Sequence, residues 1–272
     1  MPLSDLQHAI LSLLAQNRNA ESFVPGATPL QQDGPRYSSD IDIFHDREER
    51  VAAAADLDAT LLNEGGYKVH WLRREVGIHT AAICREGEST RLEWVRDSDF
   101  RFFPAVRDAL FGYRLHIVDI ATNKALAAAG RQAPRDVIDL LLIHERHLPL
   151  AAVIWAAVGK DPGFSPESLI AEIRRNARYR ADDYDALATE EPIDAGAVSR
   201  RLKSALADAE TFAQAMPAGK EGLIYLLDGV PVAADPSSLS DYREHAGRRG
   251  GYWPSSSEIG GAMLDSEQAP SK

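Results

Sequence analysis

The chain has one cysteine, Cys84, in 272 residues, so it can form no internal disulfide. That usage fits a reducing compartment. Cys84 ends the run Ala81-Ala82-Ile83-Cys84 and is expected to be a buried strand thiol. Long apolar runs are also missing. The longest, 148–159, is broken by Pro149 and is too short to span a bilayer. The start, Met1-Pro2-Leu3-Ser4-Asp5, lacks the basic residues and apolar block of a signal peptide. A soluble, cytoplasmic protein with no membrane partner is expected. Positive charge is in deficit: 30 Lys and Arg face 41 Asp and Glu, a net charge of −11. That balance argues against nonspecific duplex binding but leaves room for a local basic surface that takes one RNA. There is no Gly-x-Ser-x-Gly elbow, Walker lysine loop or dinucleotide fingerprint. His144 and His147 lie three apart on a helical stretch with no third ligand near in sequence.

What is present is a core-forming composition. The hydrophobic share of 44% is that of a globular chain, and the length suits one large domain or two ordinary ones. Leu3, Leu6, Ile10, Leu13 and Leu14 make a helical stripe over 3–16, capped by Ser4 or Asp5. A helix over about 46–63, capped by Asp46, ends at Gly65-Gly66. Three strand patterns follow at Tyr67–Leu72, Val76–Cys84 and Thr90–Val95, with a hairpin turn around Glu86-Gly87-Glu88. A short strand over Arg114–Val118 is followed by a helix over 120–129, capped by Asp119. Pro134 starts the next helix. Beyond 150 the pattern is largely helical, at 151–158, 166–178 and 194–216. The class is α+β: a small mixed sheet flanked by helices over 1–118, a mostly helical lobe over 119–252, and a flexible tail over 253–272.

The chemistry centres on Arg36-Tyr37-Ser38-Ser39-Asp40-Ile41-Asp42-Ile43-Phe44. On a strand, Asp40 and Asp42 share one face, while Ile41, Ile43 and Phe44 anchor to the core. Two carboxylates one pleat apart repel, and a hard cation such as Mg²⁺ or Mn²⁺ relieves the conflict. The ordinary reading of Asp-x-Asp is two solvated acids at a strand end. Upstream, Val24-Pro25-Gly26-Ala27-Thr28-Pro29-Leu30 places a turn where a helix could begin, a setting whose backbone N–H groups favour phosphate. Glu93, on the polar side of its strand opposite Leu92 and Trp94, is the candidate third carboxylate; its ordinary reading is a solvated edge position. A second constellation comprises Lys124, Arg131, Arg135, Asp136 and Asp139. Lys124, on an Ala-rich helix, is a candidate for meeting a triphosphate. Asp136 and Asp139 share a helix face, and for Arg135 and Asp136 the competing reading is capping and a buried ion pair that fixes two helices. Arg174, Arg175, Arg178 and Arg180 form an arginine-rich stretch, ordinarily a solvated helix face and alternatively a nucleic-acid contact.

These motifs, from Gly26-Ala27-Thr28-Pro29-Leu30 through Arg36-Tyr37-Ser38-x-Asp40-Ile41-Asp42 to Lys124, Arg131 and Arg135-Asp136-x-x-Asp139-Leu140, resemble the AbiEii-type nucleotidyltransferases of the DNA polymerase β-like superfamily. Many of those are toxins of toxin–antitoxin or phage-defence systems. The resemblance covers about 22–142, and the helical remainder is similar to the family's second lobe. It implies an NTP bound by Gly26, Ala27 and Thr28 with support from Arg36 and Ser38. It further implies two Mg²⁺ (or Mn²⁺) held by Asp40 and Asp42, with Glu93 as the third ligand and the base. Lys124 would hold phosphate, Asp139 or Asp136 would complete the motif near the base or acceptor, and Arg135 is counted with them on the nucleotide side. Ala27 stands where a second Gly is usual, and Pro29 where Ala is common. Ala resists positive φ, which bears on the pose of the nucleotide. The implied activity is transfer of NMP to an RNA (tRNA) or protein acceptor, with an antitoxin as partner. Two rivals stay open: a small-molecule, aminoglycoside-like nucleotidyltransferase, and a catalytically silent protein that binds an NTP or a partner.

Overall fold

The computed structural model describes residues 3–97 and 100–249, so the stretch expected as a tail lies outside the described residues. The chain forms two compact units. The first comprises residues 3–97, Pro104–Leu115 and Ala188–Glu190; the second comprises Phe100–Phe103, His116–Leu187 and 191–249.

The first unit opens with helix α1 (Asp5–Leu14). Ser4 caps it: its hydroxyl accepts the Gln7 N–H, and the Gln7 side chain accepts the Ser4 N–H. Strand β1 (Ser22–Phe23) and the one-turn helix α2 (Ala27–Leu30) lead to strand β2 (Asp40–His45). Helix α3 (Glu48–Glu64) follows, then strands β3 (Lys68–Glu75), β4 (Ile78–Arg85) and β5 (Glu88–Arg96). The five strands form one mixed sheet in the order β1-β2-β5-β4-β3, with β2 and β5 parallel and the other pairs antiparallel. Glu86 and Gly87, at φ 54° and 90°, make the two-residue turn of the expected hairpin.

Period-two alternation gives the sheet two unlike faces. Ile41, Ile43, Ala81, Ile83, Leu92 and Trp94 point into a core shared with Leu6, Ile10 and Leu14 of α1 and with Val51, Ala55 and Leu62 of α3. Three local expectations are corrected. Phe44 shares the face of Asp40 and Asp42, and the buried residue at the end of β2 is His45, at 1% exposure. Arg47 occupies the cap position of α3, so Asp46 lies one residue too early to cap it. Cys84 is half-buried.

Burial of His45 has a cost that depends on pH. Its ring sits opposite Ser22 in the β1–β2 register, its Nε2 has no hydrogen-bond partner, and desolvation followed by the nearby Arg18 charge pushes its pKa from 6.5 to about 4. The native state therefore refuses a proton that the unfolded chain accepts. Stability is fully present above pH 6.5 and is lost as pH falls towards 4, by about 3 kcal/mol from this group alone. Urea titrations of the wild type and His45→Gln are expected to diverge in pH dependence across that window; parallel profiles would rule out His45 as the source.

The second unit begins with the two-residue strand β6 (Phe100–Arg101), while β7 (Val106–Asp108) and β8 (Gly112–Arg114) form a hairpin of the first. Helices α4 (Ile117–Gly130), α5 (Pro134–Arg146), α6 (Leu150–Ala157), α7 (Pro166–Asn176), α8 (Ala181–Asp185) and α9 (Ala195–Ala215) then pack together. The expected strand over Arg114–Val118 lies instead at Gly112–Arg114. Asp119 is not the cap of α4: His116 is, its Nδ1 accepting the Val118 N–H. Asp119 lies inside α4, fully buried. It accepts the N–H groups of Phe102 and Phe103 and pairs with Lys160 Nζ at 3.1 Å.

The lobe expected to be largely helical also carries a sheet of strands β9 (Leu223–Leu227), β10 (Val230–Val232) and β11 (Arg243–Ala246), in the order β10-β9-β11. A last short strand, β12 (Arg248–Arg249), pairs with β6. The β9–β10 turn is Asp228-Gly229, at φ 51° and 84°. An Asp-Gly pair between apolar runs is a strong hairpin signal in sequence, and it was available there.

Candidate active site

The paired acids stand on the face of the five-stranded sheet opposite its core of Ile41, Ile43, Leu92 and Trp94. Asp40, Asp42 and Phe44 of β2 share that face, and all three are half-buried. Beside them in parallel register lie Arg91, Glu93 and Val95 of β5: Asp40 opposes Arg91, and Asp42 opposes Glu93. The third carboxylate expected from sequence is thus the strand neighbour of the second aspartate.

The hydrogen bonds around these acids fix their supports. Arg91 Nη2 donates to Asp40 Oδ2 at 2.8 Å, an ion pair on the solvent side in which the arginine side chain is 51% exposed. Thr80 of β4, directly opposite Glu93, donates its hydroxyl to Glu93 Oε1 at 3.0 Å. Ser38 Oγ donates to the Asp40 carbonyl at 2.9 Å, and Thr28 Oγ1 lies 3.3 Å from Ser38 Oγ. The Gln7 amide donates to the Ser38 carbonyl at 3.0 Å, so a side chain of α1 steadies the approach to β2. Arg36 is buried, bridges Thr189 through its backbone and donates a guanidinium N–H to the Tyr37 carbonyl at 3.3 Å. Ser38, Thr28 and Arg36 therefore hold the segment that delivers Asp40 and Asp42.

Gly26 precedes α2 at φ 66° and ψ −134°, and a Cβ there would meet nothing within 4 Å. Backbone conformation, not crowding, calls for glycine at this place. Ala27 is the first residue of α2 and needs no glycine.

The second constellation lies in the second unit. Lys124 of α4 pairs with Asp139 of α5 at 2.6 Å and approaches Asp136 at 3.5 Å. Arg131 grips Asp136 with two hydrogen bonds, at 2.7 and 3.0 Å. Both aspartates are fully buried, and Lys124 is buried too. The arrangement is a buried ion-pair network that joins the two helices, with Arg131 and not Arg135 as its arginine. Arg135 itself is half-buried.

Sequence reasoning missed Arg91 and Thr80, the partners of the acids. Arg91 carried a signal: it stands two residues before Glu93 and so shares its face.

Among the described residues, no three His, Cys, Asp or Glu side chains converge to hold a metal ion. The donor chemistry nevertheless suits a hard divalent cation, since Asp40, Asp42 and Glu93 bring carboxylate oxygens to one sheet face. Asp40 is engaged by Arg91 and Glu93 by Thr80.

The fold has a solved counterpart. MenT4, a nucleotidyltransferase toxin from Mycobacterium tuberculosis H37Rv, superposes with a TM-score of 0.55 over 76% of this chain and 85% of its own, at 20% identity. At that identity the likeness is one of fold. No protein-family description and no curated protein sequence matches the chain. Among the described residues, no helix is long and apolar enough to cross a membrane.

Proposed function

We propose that the chain is a Mg²⁺-dependent nucleotidyltransferase that moves NMP from an NTP to an RNA or protein hydroxyl, and that it acts as the toxin of a toxin–antitoxin or phage-defence pair. One observation carries the reading: Asp42 and Glu93 are register partners on parallel strands, with Asp40 on the same face. The fold likeness to a nucleotidyltransferase toxin supports it.

In this reading Asp40 and Asp42 would hold the cation, with Glu93 as third ligand. The cation supplies charge neutralisation at the phosphates. Glu93 accepts the proton of the acceptor hydroxyl as that oxygen bonds to the α-phosphorus, and the bond to the β-phosphate oxygen breaks to release pyrophosphate. Ser38 and Thr28 keep the Asp40 backbone in place, and the backbone turn at Gly26 and Ala27 receives the triphosphate. Arg91 competes with the cation for Asp40, so Arg91→Ala is expected to tighten Mg²⁺ dependence, lowering the half-saturating concentration several-fold. An unchanged Mg²⁺ titration would count against the assignment of Asp40.

The phosphate role that the resemblance gives to Lys124 is tested separately from its pairing role. Lys124→Met with Asp139→Leu removes both partners of the buried pair, so fold stability is expected to survive while transfer falls. Retained transfer would leave Lys124, Arg135, Asp136 and Asp139 as a structural network.

The deciding assay incubates the protein with each NTP, radiolabelled at the α-phosphate, with Mg²⁺ and total RNA or total protein. Label in an RNA or protein band names the acceptor class. NTP binding without pyrophosphate release would favour the silent binding protein, for which the Arg91–Asp40 ion pair is the supporting observation. Pyrophosphate release only with a cationic small molecule would favour the aminoglycoside-like rival.

A further inference from the structure

The second unit contains a pocket of about 780 Å³, formed by α7, the segment after it, α8 and α9. Arg174, Arg178, Arg180 and Lys203 line it, and no Asp or Glu does. In a chain of net charge −11, four cations around one concavity are a local concentration of positive charge, with Glu210 and Asp183 as acids close to it. Arg174 is partly committed, donating to Glu210 at 3.0 Å. Arg178 and Lys203 are exposed and form no ion pair among the described residues. The Arg180 backbone N–H is tied to Asp183 at 2.7 Å, which fixes where its side chain starts.

The same pocket offers an aromatic and apolar wall. Tyr179 stands edge-on to the buried Tyr184, with ring centroids 5.8 Å apart and planes at 75°. Leu202 and Leu206 continue that wall from α9. The size is that of small-ligand sites, which run from about 300 to 1,000 Å³. Guanidinium groups match phosphate oxygens in a fork, a lysine adds a point charge, and a tyrosine ring takes the face of any base. An acidic peptide without aromatic or apolar side chains would use the cations alone and leave the flat wall unemployed.

We propose that this pocket binds a phosphorylated nucleoside, with Arg178, Arg180 and Lys203 on the phosphate and Tyr179 with Leu202 against the base. The ligand has two possible sources, a free mononucleotide or the end of an RNA strand. The proposal concerns binding within the second unit and stands apart from the transfer reaction assigned to the sheet face.

Photocrosslinking tests it in the full chain. The probes are 8-azido-AMP and a short oligoadenylate ending in 8-azidoadenosine, each used on wild type and Asp42→Ala, with labelled peptides mapped by mass spectrometry. Label is expected between residues 174 and 207 in both proteins. Arg178→Glu with Lys203→Glu is expected to weaken it at least about tenfold, because two phosphate-neutralising charges are reversed. Both residues are exposed, so the thermal midpoint should hold; the milder Arg178→Gln with Lys203→Gln serves as a second variant. Stronger labelling by the mononucleotide identifies a free nucleotide, and stronger, salt-sensitive labelling by the oligonucleotide identifies a strand end. Labelling confined to the first unit, or unaffected by charge reversal, overturns the proposal. So does equal competition by inorganic phosphate and AMP, which would mean an anion site without base recognition. Failure here leaves the Asp42-dependent transfer assay untouched.

Discussion

Replacing Asp42 by asparagine is expected to lower NMP transfer by about a hundredfold to a thousandfold, the scale on which removing a charge-stabilising group from a preorganised site acts. The change keeps size and removes one negative charge from a half-buried position beside Glu93. Asparagine can still ligate through its carbonyl, but a site that has lost one of its three carboxylates attracts a divalent cation far less. The fold should persist, because the core contacts of β2 come from Ile41 and Ile43 on the other face. Circular dichroism and the urea midpoint check that point. Glu93→Gln should also reduce transfer, with a loss that shrinks as pH rises and the acceptor hydroxyl needs less help from a base. Transfer by Asp42→Asn at the wild-type rate would remove the sheet face from the mechanism. A parallel loss of folding would make the activity result a stability effect, and Asp42→Glu would then separate the two.

Asp58→Ala should cost stability on a comparable scale, about 3 to 5 kcal/mol, since it strands a buried guanidinium without its counter-charge. Asp58 is fully buried on α3 and sits at the centre of a network. Arg18 Nη2 donates to its two oxygens at 2.7 and 2.6 Å, Asn17 donates at 2.8 Å, and the Trp94 indole N–H donates at 2.7 Å. The network joins the segment after α1 with α3 and β5 on the core side of the sheet. Burial lowers the Arg18 pKa, with Asp58 opposing that shift, so the charge depends on its partner. Two Arg18 nitrogens, Nε and Nη1, are buried without hydrogen-bond partners, which makes the site less forgiving. Equilibrium urea unfolding measures the loss. The double variant Arg18→Met with Asp58→Leu should recover most of it, because no charge then needs solvation. A small effect of Asp58→Ala, or no recovery in the double variant, would show that the charges are solvated by another route.

Much of the candidate site was legible in the chain because strand periodicity is local. Asp40 and Asp42 had to share a face once Ile41 and Ile43 were core residues, and Leu92 and Trp94 turned Glu93 outward by the same alternation. Helix limits were legible where a side chain caps the backbone locally, as with Ser4. They misled where an acid near a start had another use. Asp119 looks like a cap, but it instead holds the Phe102 and Phe103 amides and Lys160.

Composition and spacing alone established an α+β chain with no internal disulfide and a pair of acids on one strand face. Tertiary structure alone decided that Glu93 is the neighbour of Asp42. The parallel pairing of β2 with β5 spans an intervening helix and hairpin, and no local preference sets such a register. It likewise decided that Lys124 meets Asp139, that Asp58 meets Arg18 across 40 residues, and that scattered arginines meet Lys203 around one pocket. Each of these depends on side chains brought together by packing, whose energy is earned only when the whole core closes.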